Sequence, residues 1–164
     1  MRQVFISLLL LPLLCGCTNN MHDDIFAYRT VPFRAEISGT LYGTPFSAEI
    51  GIQQTDTGSQ RYIRFLSPSS LKGITVTVNE SGDASAGLGE VCFDGHATDL
   101  RGLLLPINIL FEEDSYQTIQ KSNEGTEIKL ASGNILQINA KGIPTHVRGG
   151  QINYDVLWWE PIKP

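Results

Sequence analysis

The segment from Asp94 to Asp99 places two carboxylates around one imidazole, the residue types that general acid–base chemistry uses. It reads Asp94-Gly95-His96-Ala97-Thr98-Asp99. Asp-Gly is also a common turn dipeptide, and Thr98-Asp99 suits the start of a helix. We interpret the segment as a turn, and an enzyme that uses this region is the weaker alternative.

Another carboxylate lies in the triplet Asp56-Thr57-Gly58. Proton transfer at such a triplet needs a second carboxylate close enough to share one proton, and the triplet occurs only once in this chain. It follows the polar residues Gln53-Gln54-Thr55, where a hairpin turn is due. We therefore interpret the triplet as residues of a hairpin turn.

The remaining reactive side chains are three histidines, at positions 22, 96 and 146, and Cys92. The histidines lie far apart in sequence, with no second metal ligand at short spacing. Cys92 lies in the strand-like run 90–93, which predicts a small buried residue rather than a nucleophile. The sequence also lacks a nucleophile elbow and a phosphate-binding loop. We expect no metal, no cofactor and no enzymatic activity.

Short strands must position any site in this chain. Residues 33–41 alternate strictly between apolar and polar side chains, and so does the run from Phe46 to Ile52 after the turn at 42–45, which predicts a hairpin. Further strands are predicted at 62–66, 74–78, 86–93, 115–121, 126–131, 134–140, 143–148 and 152–159. This spacing predicts a mainly β domain with a minor α+β character. Its antiparallel sheet would curve into a barrel or a half-barrel, and the apolar run at 98–112 would supply short covering helices.

Residues 98–112 depart from the strand pattern. Their apolar side chains fall at helical spacing, at Leu100, Leu103, Leu104, Ile107, Leu110 and Phe111. Pro106 is incompatible with one straight helix. The pattern predicts a turn or short helix before Pro106 and a helix from there to about Glu113, with the apolar side chains covering the sheet.

Charge and composition narrow the classes of partner. The formal net charge of the chain is −5, and no cluster of lysine and arginine appears, so we expect no nucleic-acid partner. No heptad pattern is present either, which leaves no reason to expect a dimer, and we predict a monomer.

The N-terminal residues have the organisation of an export signal. Arg2 supplies a positive charge, residues 4–14 are apolar apart from Ser7 and are interrupted by Pro12, and the chain turns polar directly after Cys17. The apolar run is shorter than the roughly 20 residues that cross a bilayer as a helix.

The ending Leu14-Cys15-Gly16-Cys17 resembles the bacterial lipobox. The resemblance implies that Cys17 carries a diacylglyceryl group and becomes the first residue after cleavage. Residues 1–16 would then be the signal peptide, 17–32 a lipidated tether and 33–160 the folded domain. It implies a lipid-anchored protein on the extracytoplasmic side of the cell membrane. The residue after Cys17 is Thr18 rather than Asp, and in a Gram-negative host this would permit transport of the lipoprotein to the outer membrane.

The folded part resembles the LolA/LolB-type carriers of lipoproteins. The residues that carry the resemblance are 62–73, a strand running into a Ser-Pro-x-x-Leu-x-Gly turn, the apolar insert at 103–111 and the late Gly142-Ile143-Pro144. The resemblance spans roughly residues 33–159. It implies an open, strongly curved antiparallel sheet whose concave apolar face is covered by short helices and accepts acyl chains.

Two functions follow as hypotheses. The preferred one is binding of a lipid or another hydrophobic ligand, with lining residues Leu100, Leu103, Leu104, Ile107, Leu110, Phe111 and Trp158. Trp158 belongs to this set because the alternation Ile152, Tyr154, Val156 predicts it in the core and Trp159 outside. The alternative is a structural or accessory envelope lipoprotein with a filled core that acts through protein–protein contacts.

Overall fold

The computed structural model describes residues 25–56, 58–112 and 116–162. These residues form one curved, open antiparallel sheet of eleven strands. The strands are β1 Phe33–Leu41, β2 Thr44–Thr55, β3 Gly58–Ser67, β4 Thr75–Asn79, β5 Asp83–Leu88, β6 Val91–His96, β7 Tyr116–Lys121, β8 Gly125–Leu130, β9 Ile135–Asn139, β10 Pro144–Arg148 and β11 Ile152–Pro161. The mainly β class and the curved antiparallel sheet are as the sequence predicts.

The strand order follows the chain with one crossover. β1 to β6 run as a meander from the centre of the sheet to one edge. The chain then passes through helix α1, Arg101–Asn108, and reaches the opposite edge at β7. From there β7 to β11 run back until β11 pairs with β1. The edges β6 and β7 do not pair with each other, so the sheet stays open.

The core lies between the inward face of the sheet and the crossing segment, which consists of α1 and the turn that follows it (101–111). Ala35, Ile37 and Ile50 of the central strands are completely buried, and so are Leu104 and Ile107 of α1. No polar or charged side chain of the described residues is buried. Burial of each large apolar side chain stabilises the fold by about 1.5–3 kcal/mol. The centre of the half-barrel is therefore filled by the chain's own side chains.

The predicted start of a separate helix at Pro106 is wrong, because one helix runs through this residue. α1 contains Pro106 in its interior, and a 3₁₀ turn, Ile109–Phe111, follows it directly. Proline has no N–H, so the helical hydrogen bond to the carbonyl of Gly102 is missing. The helix has only eight residues, and packing of its apolar face against the sheet stabilises it in spite of this lost bond.

The N-terminal segment belongs to the domain from Ile25 onward, which shortens the tether predicted over 17–32. A 3₁₀ turn, Ala27–Arg29, places Tyr28 in the core with 6% of its surface exposed. The Tyr28 hydroxyl donates a hydrogen bond to the carbonyl oxygen of Leu110 at 2.7 Å. Residues 17–24, including Cys17 and His22, lie outside the described residues.

A bulge in β11 reverses the predicted orientation of the tryptophans. Glu36 pairs with Trp158 and Ile37 with Val156, so Leu157 is an extra residue in β11. Such a bulge shifts the alternation by one residue. Trp159 consequently faces inward and stacks on Phe33 with 3.7 Å between ring centroids. The prediction that Trp158 lies in the core is wrong, because Trp158 is 38% exposed.

The predicted strand at 86–93 is two strands joined by a turn. β5 ends at Leu88, Gly89 turns the chain with φ of +61°, and β6 begins at Val91. Because β6 is an edge strand with no neighbour on its outer side, Cys92 is exposed. The prediction of a buried Cys92 is therefore wrong.

Candidate functional site

An apolar pocket of about 470 Å³ lies where three separate segments meet. The segments are the β1–β2 turn, the β3–β4 loop and the start of α1. The volume falls within the roughly 300–1,000 Å³ that is usual for ligand sites. The lining residues are Leu41, Tyr42, Thr44, Phe46, Pro68, Ser70, Leu71, Asp99, Leu100, Gly102 and Leu103.

The β1–β2 hairpin provides the base of this pocket. Leu41 and Phe46 are nearly buried, with 7% and 3% of their surfaces exposed. The Phe46 ring packs against the rings of Phe65 and Tyr154, each at 6.4 Å between centroids. Since these neighbours belong to the core, the base of the pocket is preformed.

The β3–β4 loop forms one wall. The backbone N–H groups of Leu71 and Lys72 both donate to the carbonyl oxygen of Pro68, at 3.0 Å. Gly73 continues the loop with φ of +86°, a conformation that glycine adopts without steric cost, and its N–H donates to the carbonyl of Phe65 at 2.9 Å. These bonds hold Leu71 against the pocket.

The start of α1 forms the opposite wall. Leu100 and Leu103 are partly buried, and the N–H of Leu103 donates to the Leu100 carbonyl at 3.0 Å. Gly102 between them has no side chain. A Cβ atom placed on Gly102 would lie 3.7 Å from the hydroxyl oxygen of Tyr42, so the tyrosine ring stands over the first turn of the helix.

The mouth of the pocket carries one carboxylate, that of Asp99, and no lysine or arginine among the described lining residues. Asp99 accepts a hydrogen bond from the backbone N–H of His96 at 3.1 Å. The hydroxyls of Thr44 and Ser70 add polar groups. The arrangement can hold an apolar group inside and a polar group at the mouth.

Of the seven residues predicted to line a hydrophobic site, the structure brings Leu100 and Leu103 into this pocket. Leu104, Ile107 and Leu110 are completely buried and belong to the packed core. The other two residues lie elsewhere. Phe111 packs against Phe33 and lines a different depression of about 460 Å³, and Trp158 donates a hydrogen bond to Glu36 on the outer face.

Sequence reasoning missed Tyr42, Phe46 and Leu71 as pocket residues. The alternating pattern identifies Phe46 only as an inward residue of a hairpin. The sequence does not show that the turn and the loop belong to one site, because they become neighbours only when the sheet curves. The unusual presence of a tyrosine directly before Gly43 in a tight turn was the one available hint.

The segment from Asp94 to Asp99 forms a loosely arranged polar cluster at the end of β6. The imidazole nitrogen Nδ1 of His96 lies 3.8 Å from a carboxylate oxygen of Asp83, and both side chains are well exposed. Among the described residues no group of three His, Cys, Asp or Glu side chains is placed to hold a metal ion. The thiol of Cys92 donates to a carboxylate oxygen of Asp94 at 3.8 Å, and this pair is exposed to solvent.

A further depression of about 480 Å³ lies over strands β7 to β9. Polar and charged side chains form most of its lining, including Gln120, Glu124 and Glu127. An apolar ligand would have to displace water from these groups at a cost in free energy. The pocket at the start of α1 is therefore the better candidate for a hydrophobic ligand.

Comparisons with known proteins bear on the fold alone. No family model matches the chain, and no curated protein matches it. Among solved structures the chain is similar to an uncharacterized conserved protein from Thermus thermophilus, with a TM-score of 0.54 and 14% sequence identity. The match covers 87% of this chain and 85% of that one. Within the described part of the chain, none of the helices has the length and apolar character needed to cross a membrane.

Proposed function

We propose that the protein is a membrane-anchored extracytoplasmic lipoprotein whose curved β domain binds a lipid or another hydrophobic ligand. The observation that carries the ligand-binding part is the pocket of about 470 Å³ at the start of α1. Apolar side chains from three distant parts of the chain converge there and leave a space that the chain itself does not fill. Such concave apolar sites with a few polar groups are typical of ligand binding.

The anchor rests on the lipobox resemblance at Cys17. Two acyl chains on one cysteine attach a protein stably to a bilayer, whereas one chain does so only marginally. Eight residue steps separate Cys17 from Ile25, and an extended chain spans about 3.3–3.6 Å per step, or at most about 29 Å. The domain would thus remain beside the membrane that holds it.

The pocket lies at the opposite end of β1 from the first described segment, 25–29. The N-terminal segment packs near the start of β1, where Tyr28 and Phe33 both contact Trp159. Eight strand steps separate Phe33 from Leu41 at the pocket, about 26 Å at roughly 3.3 Å per step. The proposed ligand would therefore enter the domain about 26 Å from the end of β1 near which the N-terminal segment packs.

Plugging the pocket tests ligand binding. Gly102→Leu would fill the mouth, whereas the matched control Gly102→Ala adds only a Cβ at ordinary contact distance from Tyr42. We expect the wild-type protein and the alanine variant to bind the apolar fluorescent probe N-phenyl-1-naphthylamine, and the leucine variant to bind it at least about tenfold more weakly. Equal binding by both variants would refute the pocket as the ligand site.

Metabolic labelling with an alkyne fatty acid tests the anchor. We expect Cys17→Ser to abolish the label and Cys15→Ser, which removes the neighbouring thiol of the same segment, to retain it. Labelling that persists in Cys17→Ser would show that the acyl group is attached to another residue.

A protein–protein contact at the edge strand β6 is the second candidate function. Leu88 at the end of β5 and Val91 and Phe93 of β6 are 53%, 75% and 55% exposed, a concentration of apolar surface along an edge where β6 pairs with β5 on one side only. An accessory role in the cell envelope would use this edge. Phe93→Lys would then release a partner that co-purifies with the wild-type protein, without changing probe binding in the pocket.

A further inference from the structure

The β1–β2 hairpin closes through a turn that does not suit its first residue. Leu41 pairs with Thr44, so the link consists of Tyr42 and Gly43 only. Their φ angles are +50° and +76°, the pattern of a type I′ turn. Asn and Gly are the usual residues at the first position, because the left-handed conformation places a Cβ atom against the following carbonyl. Tyr42 is the one described non-glycine residue with positive φ.

Packing does not explain the presence of a tyrosine here. The side chain of Tyr42 is 55% exposed, so the fold realises less than half of the stabilisation that complete burial of its ring would give. Its backbone N–H donates to the carbonyl of Gln151 at 2.7 Å, a bond that asparagine or glycine would make equally well. The domain would therefore be at least as stable with a residue that prefers the left-handed conformation.

The ring is placed for contact with a bound molecule. It lines the pocket and reaches across to Gly102, and a Cβ atom there would lie 3.9 Å from its Cε2 atom. Leu71, Leu100 and Leu103 stand on the walls below it. A strained residue kept at a site despite its cost is a recognised mark of function.

We infer that Tyr42 is a ligand-binding residue whose ring closes the pocket over a single alkyl or acyl chain. The inference rests on the proposed function. A volume of about 470 Å³ holds about fifteen groups of the size of a water molecule, at about 30 Å³ each. One medium-length chain fits this space, and the two chains of a phospholipid do not. The polar end of the ligand lies at the mouth, near Asp99 and Ser70.

The test separates ligand binding from stability. It uses the mature chain 17–164 carrying Cys17→Ser, which has no acyl group of its own to occupy the pocket. The probe is 11-(dansylamino)undecanoic acid, a single-chain fluorescent fatty acid. We expect Tyr42→Asn to weaken binding about tenfold while the thermal midpoint rises by about 2–4 °C. Tyr42→Phe should bind like the wild type. Leu157→Asn, at a residue that is 58% exposed and does not line the pocket, should leave binding unchanged.

Other outcomes overturn the inference in distinguishable ways. Unchanged binding by Tyr42→Asn would refute the role of Tyr42 and leave the proposed function standing. A lower thermal midpoint together with weaker binding would show that the ring stabilises the packing of the hairpin against α1 and does not act on the ligand. Absence of probe binding by the unsubstituted pocket would refute the proposed function itself. Displacement of the probe by dodecanoic acid supports the single-chain specificity, and equal displacement by a dipalmitoyl phospholipid contradicts it.

Discussion

The hydroxyl of Tyr154 donates a hydrogen bond to the carbonyl oxygen of Pro106 at 2.8 Å, inside the core of the domain. Tyr154 lies on β11, at the centre of the sheet, and Pro106 lies in the helix that crosses its inward face. Burial raises the pKa of Tyr154 well above its ordinary value, so this donor keeps its proton. The bond joins the crossing helix to the sheet and thereby holds one wall of the pocket in place.

Removal of this hydroxyl should destabilise the domain. We expect Tyr154→Phe to lower the free energy of unfolding by about 1–3 kcal/mol, because the buried carbonyl of Pro106 is left without a donor. Urea unfolding measures the loss. In the control Tyr62→Phe, a half-buried hydroxyl that donates to Glu49 on the outer face is removed, and the expected loss is below about 1 kcal/mol. Equal losses would contradict a special role for the buried bond.

The two adjacent tryptophans should differ sharply in their effect on stability. Trp159 stacks on Phe33 at 3.7 Å and meets the Tyr28 ring edge-on at 5.9 Å, so Trp159→Ala should cost about 3 kcal/mol. Trp158 is 38% exposed, and its replacement by alanine should cost about 1 kcal/mol or less. Guanidinium unfolding compares the two. A larger loss for Trp158 would mean that β11 lacks the bulge at Leu157.

Close approach between β1 and β11 makes Gly39 irreplaceable. A Cβ atom there would overlap the carbonyl oxygen of Asn153 and would lie 2.5 Å from the Cα of Tyr154. Gly39→Ala therefore forces a backbone shift at the sheet centre, and we expect a loss above about 3 kcal/mol or no soluble protein. The control is Gly87→Ala, also in a strand, where the nearest atom lies at 3.5 Å. It should fold with normal yield, as judged by circular dichroism and thermal melting.

Stability should fall at alkaline pH, partly because of Tyr62. Burial, and after it the negative charge of Glu49 and the hydrogen bond to this carboxylate, raise the pKa of Tyr62 to about 12. The unfolded chain loses the same proton near pH 10. The stabilisation that the raised pKa of Tyr62 provides is therefore complete below about pH 10. It is lost as the pH rises toward about 12, since the unfolded state then binds fewer protons than the folded state.

Urea midpoints measured between about pH 9 and about pH 11 test this. Tyr62→Phe should show a shallower decline than the wild type. Some decline should persist, because burial also raises the pKa of Tyr28 and Tyr154. An unchanged slope in the variant would show that Tyr62 titrates normally in the folded protein.

The period-two pattern of the chain was sufficient to predict most strands. Alternation over 33–41 and 46–52 predicts the first hairpin, and the structure pairs these strands along their whole length. The strands of the C-terminal half lie within about two residues of the predicted ones. This success has a physical cause, since a strand with one buried face must place an apolar side chain at every second position.

Contacts between segments that are distant in sequence explain where the predicted burial of residues differs from the structure. Cys92 has the neighbours of a buried strand residue, yet β6 lies at the sheet edge, where nothing covers it. The interval 18–32 reads as polar, yet Ile25 and Tyr28 are buried. In each case the residue's own neighbourhood in sequence is misleading, because burial depends on which segment packs against it.

By itself the sequence determined the β class, the succession of short strands and the apolar helical insert at 98–112, because these follow from local periodicity. The tertiary structure alone decided which tryptophan faces inward, since the bulge at Leu157 arises from pairing with β1. It also decided where a ligand could bind. Leu104, Ile107 and Leu110 fill the centre, and the apolar pocket lies where the turn at Tyr42, the loop at Leu71 and the start of α1 converge. That convergence depends on the curvature of the whole sheet, which local periodicity does not encode.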